Sequence, residues 1–210
     1  MTTILYVAVS PRGPGSWSRR LGAELLARLE RRHPGARVVR RDLAADPPPA
    51  IDAAFADAIL LRPEEWDAAD RDALGYSEQV IGELEVADVV AIATPMNNYT
   101  VPATLKTWID HVVRIRRTFA GTPQGKVGLL RDRPTYVVTV AGGYHAGDAA
   151  VLQPDFLTPY LRAVLATIGI HDVRFLTAQG VTRGPDAVAL AGAAARATMD
   201  EWLPDPPGAP

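Results

Sequence analysis

Between Ser10 and Ser18 the chain reads Ser-Pro-Arg-Gly-Pro-Gly-Ser-Trp-Ser, a small, hydroxyl-rich stretch lying between an apolar run and a helical pattern. Backbone N–H groups at a helix start, the hydroxyls of Ser10, Ser16 and Ser18 and the guanidinium of Arg12 suit a phosphate dianion held without lysine. Trp17 belongs to the same turn. Taken alone, the loop also reads as a tight turn with a capping serine. A second loop, Thr94 to Pro102, carries Pro95, Met96, Asn97, Asn98 and Tyr99 between a strong strand pattern and a strong helix pattern. Prolines stiffen it, Met96 offers a soft apolar face to a planar heterocycle, and Asn98 with nearby amides supplies polar contacts at the ring edge. A third loop, Val140-Ala141-Gly142-Gly143-Tyr144-His145, places two glycines where backbone must come close to a ligand and an aromatic and an imidazole where they can cover it.

An isoalloxazine has those needs: a face that tolerates sulfur, and donors and acceptors at its edge for N5, O4, N3 and O2, whose hydrogen bonds also stabilise the reduced anion. His145, as a neutral imidazole, would donate to or orient an acceptor, with a solvent-facing loop histidine as the other reading. His33, His111 and His171 read as structural, and Lys106 with Asp110 as a surface pair four residues apart. Neither Gly-x-Gly-x-x-Gly nor a Gly-Lys-Ser/Thr loop follows a strand, which weakens a tightly held NAD and ATP hydrolysis alike.

These loops need a frame. Apolar runs at Ile4–Val9, Arg37–Arg41, Ala87–Ala93, Thr135–Val140 and Val173–Thr177 alternate with helical patterns, which points to an α/β fold with a parallel sheet covered on both faces. Ligands of such sheets sit beyond the carboxyl ends of the strands, where all three loops fall. Leu21, Leu25 and Leu29 mark a first helix, with Glu24 and Arg28 expected as a pair on its solvent side. Thr100-Val101-Pro102 and Thr158-Pro159 resemble helix starts, Gly169 a helix stop, and Gly184-Pro185 the opening of the last helix. One domain is expected over residues 1–203, with a mainly helical excursion at 46–85 and a mobile proline-rich tail at 204–210. The 210 residues are 48% hydrophobic with a net charge of −2 and no cysteine. That balance offers no basic field for nucleic acid or anionic membrane, and no thiolate or cysteine-held metal chemistry. The short apolar run at Ile4–Val9 reads as a first strand of a cytoplasmic protein rather than a membrane span.

In order along the chain, Ser-Pro-Arg with Ser-x-Ser, Arg41-Asp42-Leu43-Ala44, Pro-Met-x-Asn-Tyr-x-x-Pro-x-x-Leu-Lys-x-Trp-Ile-Asp, Arg117-Thr118-Phe119, Gly142-Gly143-Tyr144, Thr158-Pro159-Tyr160-Leu161 and Gln179-Gly180 resemble the FMN-dependent NADH-azoreductase and NAD(P)H quinone reductase family. The resemblance runs almost end to end. It implies a flavodoxin-like three-layer sandwich with strand order 2-1-3-4-5 and a homodimer with sites at its interface. It also implies bound FMN, with NADH or NADPH as co-substrate, in ping-pong transfer of two electrons to a small aromatic acceptor, a quinone or an azo compound. Ser10, Ser16, Trp17 and Ser18 match its phosphate loop, Pro95 to Tyr99 its isoalloxazine loop, and Gly142 and Gly143 its third loop.

Departures from the family pattern cluster at the ring. Asn97 stands where tyrosine is common, Tyr99 where phenylalanine is, and Val140-Ala141 where Ser-Arg is. Gly121, Val164 and Thr167 occupy positions where aromatics are frequent. The expectation is a widened acceptor pocket walled by Phe119, Gly121, Val164 and Thr167 that favours polycyclic acceptors. Two other readings stay open: a reductase dedicated to one polycyclic or quinone intermediate of a biosynthetic route, and an FMN electron carrier, which the weak net charge disfavours.

Overall fold

The computed structural model describes residues 1–147 and 153–204. Its centre is a parallel sheet of five strands: β1 (Thr3–Ala8), β2 (Arg37–Asp42), β3 (Val89–Pro95), β6 (Thr135–Val140) and β7 (Val173–Ala178), in the order β2-β1-β3-β6-β7. The expected order 2-1-3-4-5 is this one. The numbering differs because a small antiparallel hairpin, β4 (Phe119–Thr122) with β5 (Gly125–Gly128), intervenes in the chain. β3 and β6 are buried along almost their whole length, as a continuous apolar run between two helical layers demands. β2 lies at the edge, where Arg37 and Arg40 discourage pairing with another chain.

On one face, α1 (Trp17–Arg32) and α7 (Pro185–Trp202) bury Leu21, Leu25, Leu29, Ala195 and Met199 against Ile4, Ala91, Val138 and Leu176. The expected pairing of Glu24 with Arg28 is not formed. Glu24 instead takes a two-bonded contact from Arg196 at 2.8 Å, and Arg28 pairs with Asp200, so both residues join α1 to α7. A tertiary partner with two aligned N–H groups outcompetes an i,i+4 neighbour worth about 0.3–0.5 kcal/mol. On the other face, α4 (Gly75–Val86), α5 (Ala103–Val112) and α6 (Leu157–Thr167) pack Val80, Leu84, Leu105, Trp108, Ile109 and Leu161 on Leu5, Val7, Val90 and Val137. Each such side chain contributes roughly 1.5–3 kcal/mol on burial.

Within the excursion, α2 (Ala53–Ala58) and α3 (Ala68–Ala73) form a small core from Phe55, Ala58 and Leu74, whereas α4 belongs to the main layer. His111 of α5 anchors this region: its Nε2 donates to the Pro49 carbonyl at 2.9 Å, and its ring meets the edges of Phe55 and Tyr76, each at 4.8 Å. α6 ends at Gly169, whose φ of +101° suits the left-handed stop that glycine makes without a Cβ clash. The hairpin hangs on the same point through the Leu130 N–H to Ile168 carbonyl bond of 3.0 Å. Of the tail, Pro204 is exposed and 205–210 lie outside the described residues. Among the described residues no helix is long and apolar enough to cross a membrane.

Candidate active site

Beyond the carboxyl ends of β1, β3 and β6 lies a cleft of about 280 Å³, at the small end for a small-molecule site. Ser10, Arg12, Ser16, Trp17 and Ser18 form one end of it, and Pro95, Met96, Asn97 and Gly142 the other. The serine end is built by α1. Ser16 is its N-cap, accepting from the Arg19 N–H at 3.3 Å, and the Ser16 and Ser18 hydroxyls lie 3.0 Å apart, both residues buried. The Trp17 and Ser18 N–H groups stand in the first turn, where no intrahelical acceptor exists, and so they are open to an anion. Arg20 lies over the Trp17 ring at 4.1 Å, and Arg12 is exposed with no ion pair among the described residues.

A residue that the loop reading passed over holds this end in shape. Arg19 donates through Nε to the Ser10 carbonyl at 2.6 Å and through Nη1 and Nη2 to Asp42 at 2.7 and 2.6 Å. The guanidinium, with help from the Ala44 and Ala45 N–H groups, holds the Asp42 carboxyl down at about 2. Arg19 is thereby committed to the protein and leaves ligand charge to Arg12 and the helix start. Its only sequence signal is Asp42 within the Arg-Asp-Leu-Ala motif, 23 positions away.

At the other end, the Asn97 N–H donates to the Thr100 carbonyl and Thr100 N–H to that of Asn97, both at 3.0 Å. Asn98 and Tyr99 between them have φ of 47° and 72°, the two left-handed positions of a type I′ turn. Asparagine suits the first. Tyrosine in place of glycine at the second costs about 1–2 kcal/mol, and the strained pair adjoins the cleft, which Met96 and Asn97 line, without lining it. Thr100, expected to open the next helix, closes this turn instead, and Pro102 is the N-cap of α5. Met96 is half-buried against the core, while Asn97, Asn98 and Tyr99 are exposed.

Gly142 lines the cleft, while Gly143, Tyr144 and His145 continue its loop beyond the lining. His145 is buried: its Nδ1 lies 3.8 Å from Asp155 Oδ2, and its Nε2 has no hydrogen-bond partner among the described residues. Such a ring nitrogen is uncommon, and among the described residues His111 Nδ1, away from the cleft, is another. Val181 and Thr182, from the loop after β7, complete the wall. In sequence this loop carries only Gln179-Gly180 of the family pattern, and Val181 and Thr182 give no sign of a ligand wall. Phe119, Gly121, Val164 and Thr167 do not line this cleft: the first two lie on the β4–β5 hairpin, and the last two on α6, where Val164 packs on the core. The open helix start, the exposed Arg12 and the Met96 face, with the Asn98 turn and the His145 loop adjoining the cleft, fit a phosphate joined to a planar, polar-edged ring, as in FMN.

Such a sheet, with a serine-capped helix start after its first strand and a tight turn after its central strand, is of the flavodoxin-like class. Residues 2–203 match the family model described as flavodoxin-like fold. The chain is 51% identical to FMN-dependent NADH:quinone oxidoreductase 2 of Cupriavidus pinatubonensis, over 90% of this chain and 91% of that one. It is 48% identical to FMN-dependent NADH:quinone oxidoreductase 4 of Pseudomonas fluorescens, over 96% and 92%. The crystal structure of an azoreductase from Bacillus anthracis superposes with a TM-score of 0.84 at 25% identity, covering 96% of this chain and 98% of that one. The chain belongs to the flavodoxin-like family in which those oxidoreductases fall.

Proposed function

We propose that this chain is a single-domain, FMN-dependent NAD(P)H oxidoreductase that reduces quinones, azo compounds or both by two electrons in a ping-pong cycle. The observation that carries the reading is the joining, in one cleft, of the Ser16-capped start of α1, with its free first-turn N–H groups, to Met96 and Asn97 at the base of the Asn98-Tyr99 turn. When bound, FMN supplies reversible two-electron chemistry, accepting hydride from a nicotinamide and yielding it to the acceptor.

The protein positions and shields. Ser10, Ser16, Ser18 and the first turn of α1 hold phosphate, with Arg12 adding charge. Met96 faces the ring, Asn98 and the turn amides meet its polar edge, and Gly142-Gly143 lets backbone come close. His145 Nε2 and Tyr144 serve the polar edge of ring or acceptor, with His145 oriented from behind by Asp155. Phe119, Gly121, Val164 and Thr167 lie outside the cleft of their own chain, so their proposed place in the acceptor pocket requires a homodimer in which they face the partner's cleft. A cytoplasmic site of action is part of the reading.

The decisive test is anaerobic spectroscopy of the FMN-loaded protein. NADH should abolish the oxidised-flavin bands, and a quinone should restore them. Bands that persist with NADH would point to the carrier reading instead. Equal or poorer kcat/KM for an anthraquinone than for benzoquinone would remove the wide pocket.

A further inference from the structure

The strands β6 and β7 pair in register as far as Val140 with Ala178. The next residue, Gln179, lies beyond the ladder, yet its side chain is fully engaged. Oε1 accepts from the His145 N–H at 2.9 Å and the Ala146 N–H at 3.0 Å, and Nε2 donates to the Ala146 carbonyl at 3.1 Å. One amide thus does for the third loop what a neighbouring strand would do. Gly180 follows with φ +77°, and a Cβ there would stand 2.6 Å from Tyr144 Cζ, so the tyrosine ring lies directly on this glycine. Its N–H donates to the Gly143 carbonyl at 2.9 Å, and two residues on Thr182 Oγ1 donates to the Gly142 carbonyl at 2.8 Å.

We infer that Gln179 is a positioning residue for the cofactor: its amide sets the backbone of residues 143–146, and with it Tyr144 and His145, at the ring end of the cleft. The inference rests on the proposed FMN reading. Its geometric warrant is that, among the described residues, every hydrogen bond of the Gln179 side chain goes to this loop and none to the sheet, so losing them frees the loop without unpairing a strand. A leucine there fills similar volume but leaves two N–H groups and a carbonyl without partners. Asparagine keeps the chemistry but is one methylene too short to span the gap. Glutamate keeps both accepted bonds and loses only the donated one.

Gln179→Leu, Gln179→Asn and Gln179→Glu are compared with the parent in three measurements: urea midpoint of the apoprotein, FMN dissociation constant by fluorescence quenching, and visible circular dichroism of the bound flavin. The urea midpoint should hold in all three. FMN binding by the leucine and asparagine variants should weaken about tenfold, with an altered flavin dichroism band, and the glutamate variant should recover both affinity and band. Parent-like FMN affinity and dichroism in Gln179→Leu and Gln179→Asn would overturn the inference, as would equal losses in all three variants. Either result leaves the FMN reading standing if the parent binds FMN and is bleached by NADH. A parent that binds no FMN overturns both.

Discussion

The two ends of the cleft are built on opposite principles. At the serine end the scaffold is bonded and only the ligand-facing donors, the Trp17 and Ser18 N–H groups and Arg12, are left open: Arg19 is bonded to Asp42 and Ser10, Ser16 caps α1, and Ser16 meets Ser18. At the ring end more is left open: Tyr99 sits in a strained left-handed position, Asn98 is exposed, and His145 Nε2 is buried without a partner among the described residues. A phosphate has one shape and a fixed charge, so its seat can be rigid and complete in advance. A ring that changes charge and receives partners on its face calls for groups still free to bond. Pre-organisation is therefore concentrated where the ligand is constant, and unsatisfied capacity where it varies.

The largest effect should come from breaking the finished end. Arg19→Ala removes three charge-assisted bonds and should weaken FMN binding roughly 30-fold, or about 2 kcal/mol. Riboflavin, which lacks the phosphate, should bind Arg19→Ala nearly as well as the parent. Equal losses for both ligands in paired fluorescence titrations would show that the two ends are not separable. Acid should act on the same end with a smaller effect. Because Asp42 is held at about 2 against a usual 3.8, its contribution is full above pH 4 and disappears as pH falls toward 2. With the carboxylate side chain 35% exposed, solvent screening limits this to about 1 kcal/mol. Urea unfolding at pH 5 and pH 2.5 should therefore lose about that much less stability in Asp42→Asn than in the parent, and parallel losses would exclude the pair as the cause. The smallest effect belongs to the ring end. Tyr99→Gly relieves about 1–2 kcal/mol of left-handed strain but adds about 0.5–1 kcal/mol of backbone entropy, for a net gain near 0.5 kcal/mol. A higher apoprotein melting temperature would bear this out, whereas a clear loss of stability would show that the tyrosine ring supports the turn.

Much of this architecture is legible in the residues, for reasons that differ by element. β1, β3 and β6 announce themselves because a strand between two helical layers must be apolar on both sides, and the serine loop because its donors are neighbours in sequence. The β4–β5 hairpin is silent: Phe119-Ala-Gly-Thr and Gly-Lys-Val-Gly are short, glycine-rich and mostly exposed, with no alternation to betray them. The turn at Asn98-Tyr99 lacks the glycine that normally flags its type. Burial of His145, like the roles of Arg19, Gln179 and Thr182, depends on partners far along the chain, and residue type alone does not announce such contacts.

The hairpin's attachment has a consequence for how such a protein can change over generations. It is tied to the end of α6 at Leu130 and by glycine-to-glycine contact of Gly128 with Gly169, while Thr122 to Lys126 project into solvent. Substitutions or insertions at that tip alter reach and bulk without disturbing the sheet or the serine cradle. On the proposed reading, in which the hairpin faces a partner's cleft, acceptor range and cofactor retention are inherited on separate pieces of the chain, and one can drift while the other is kept under selection.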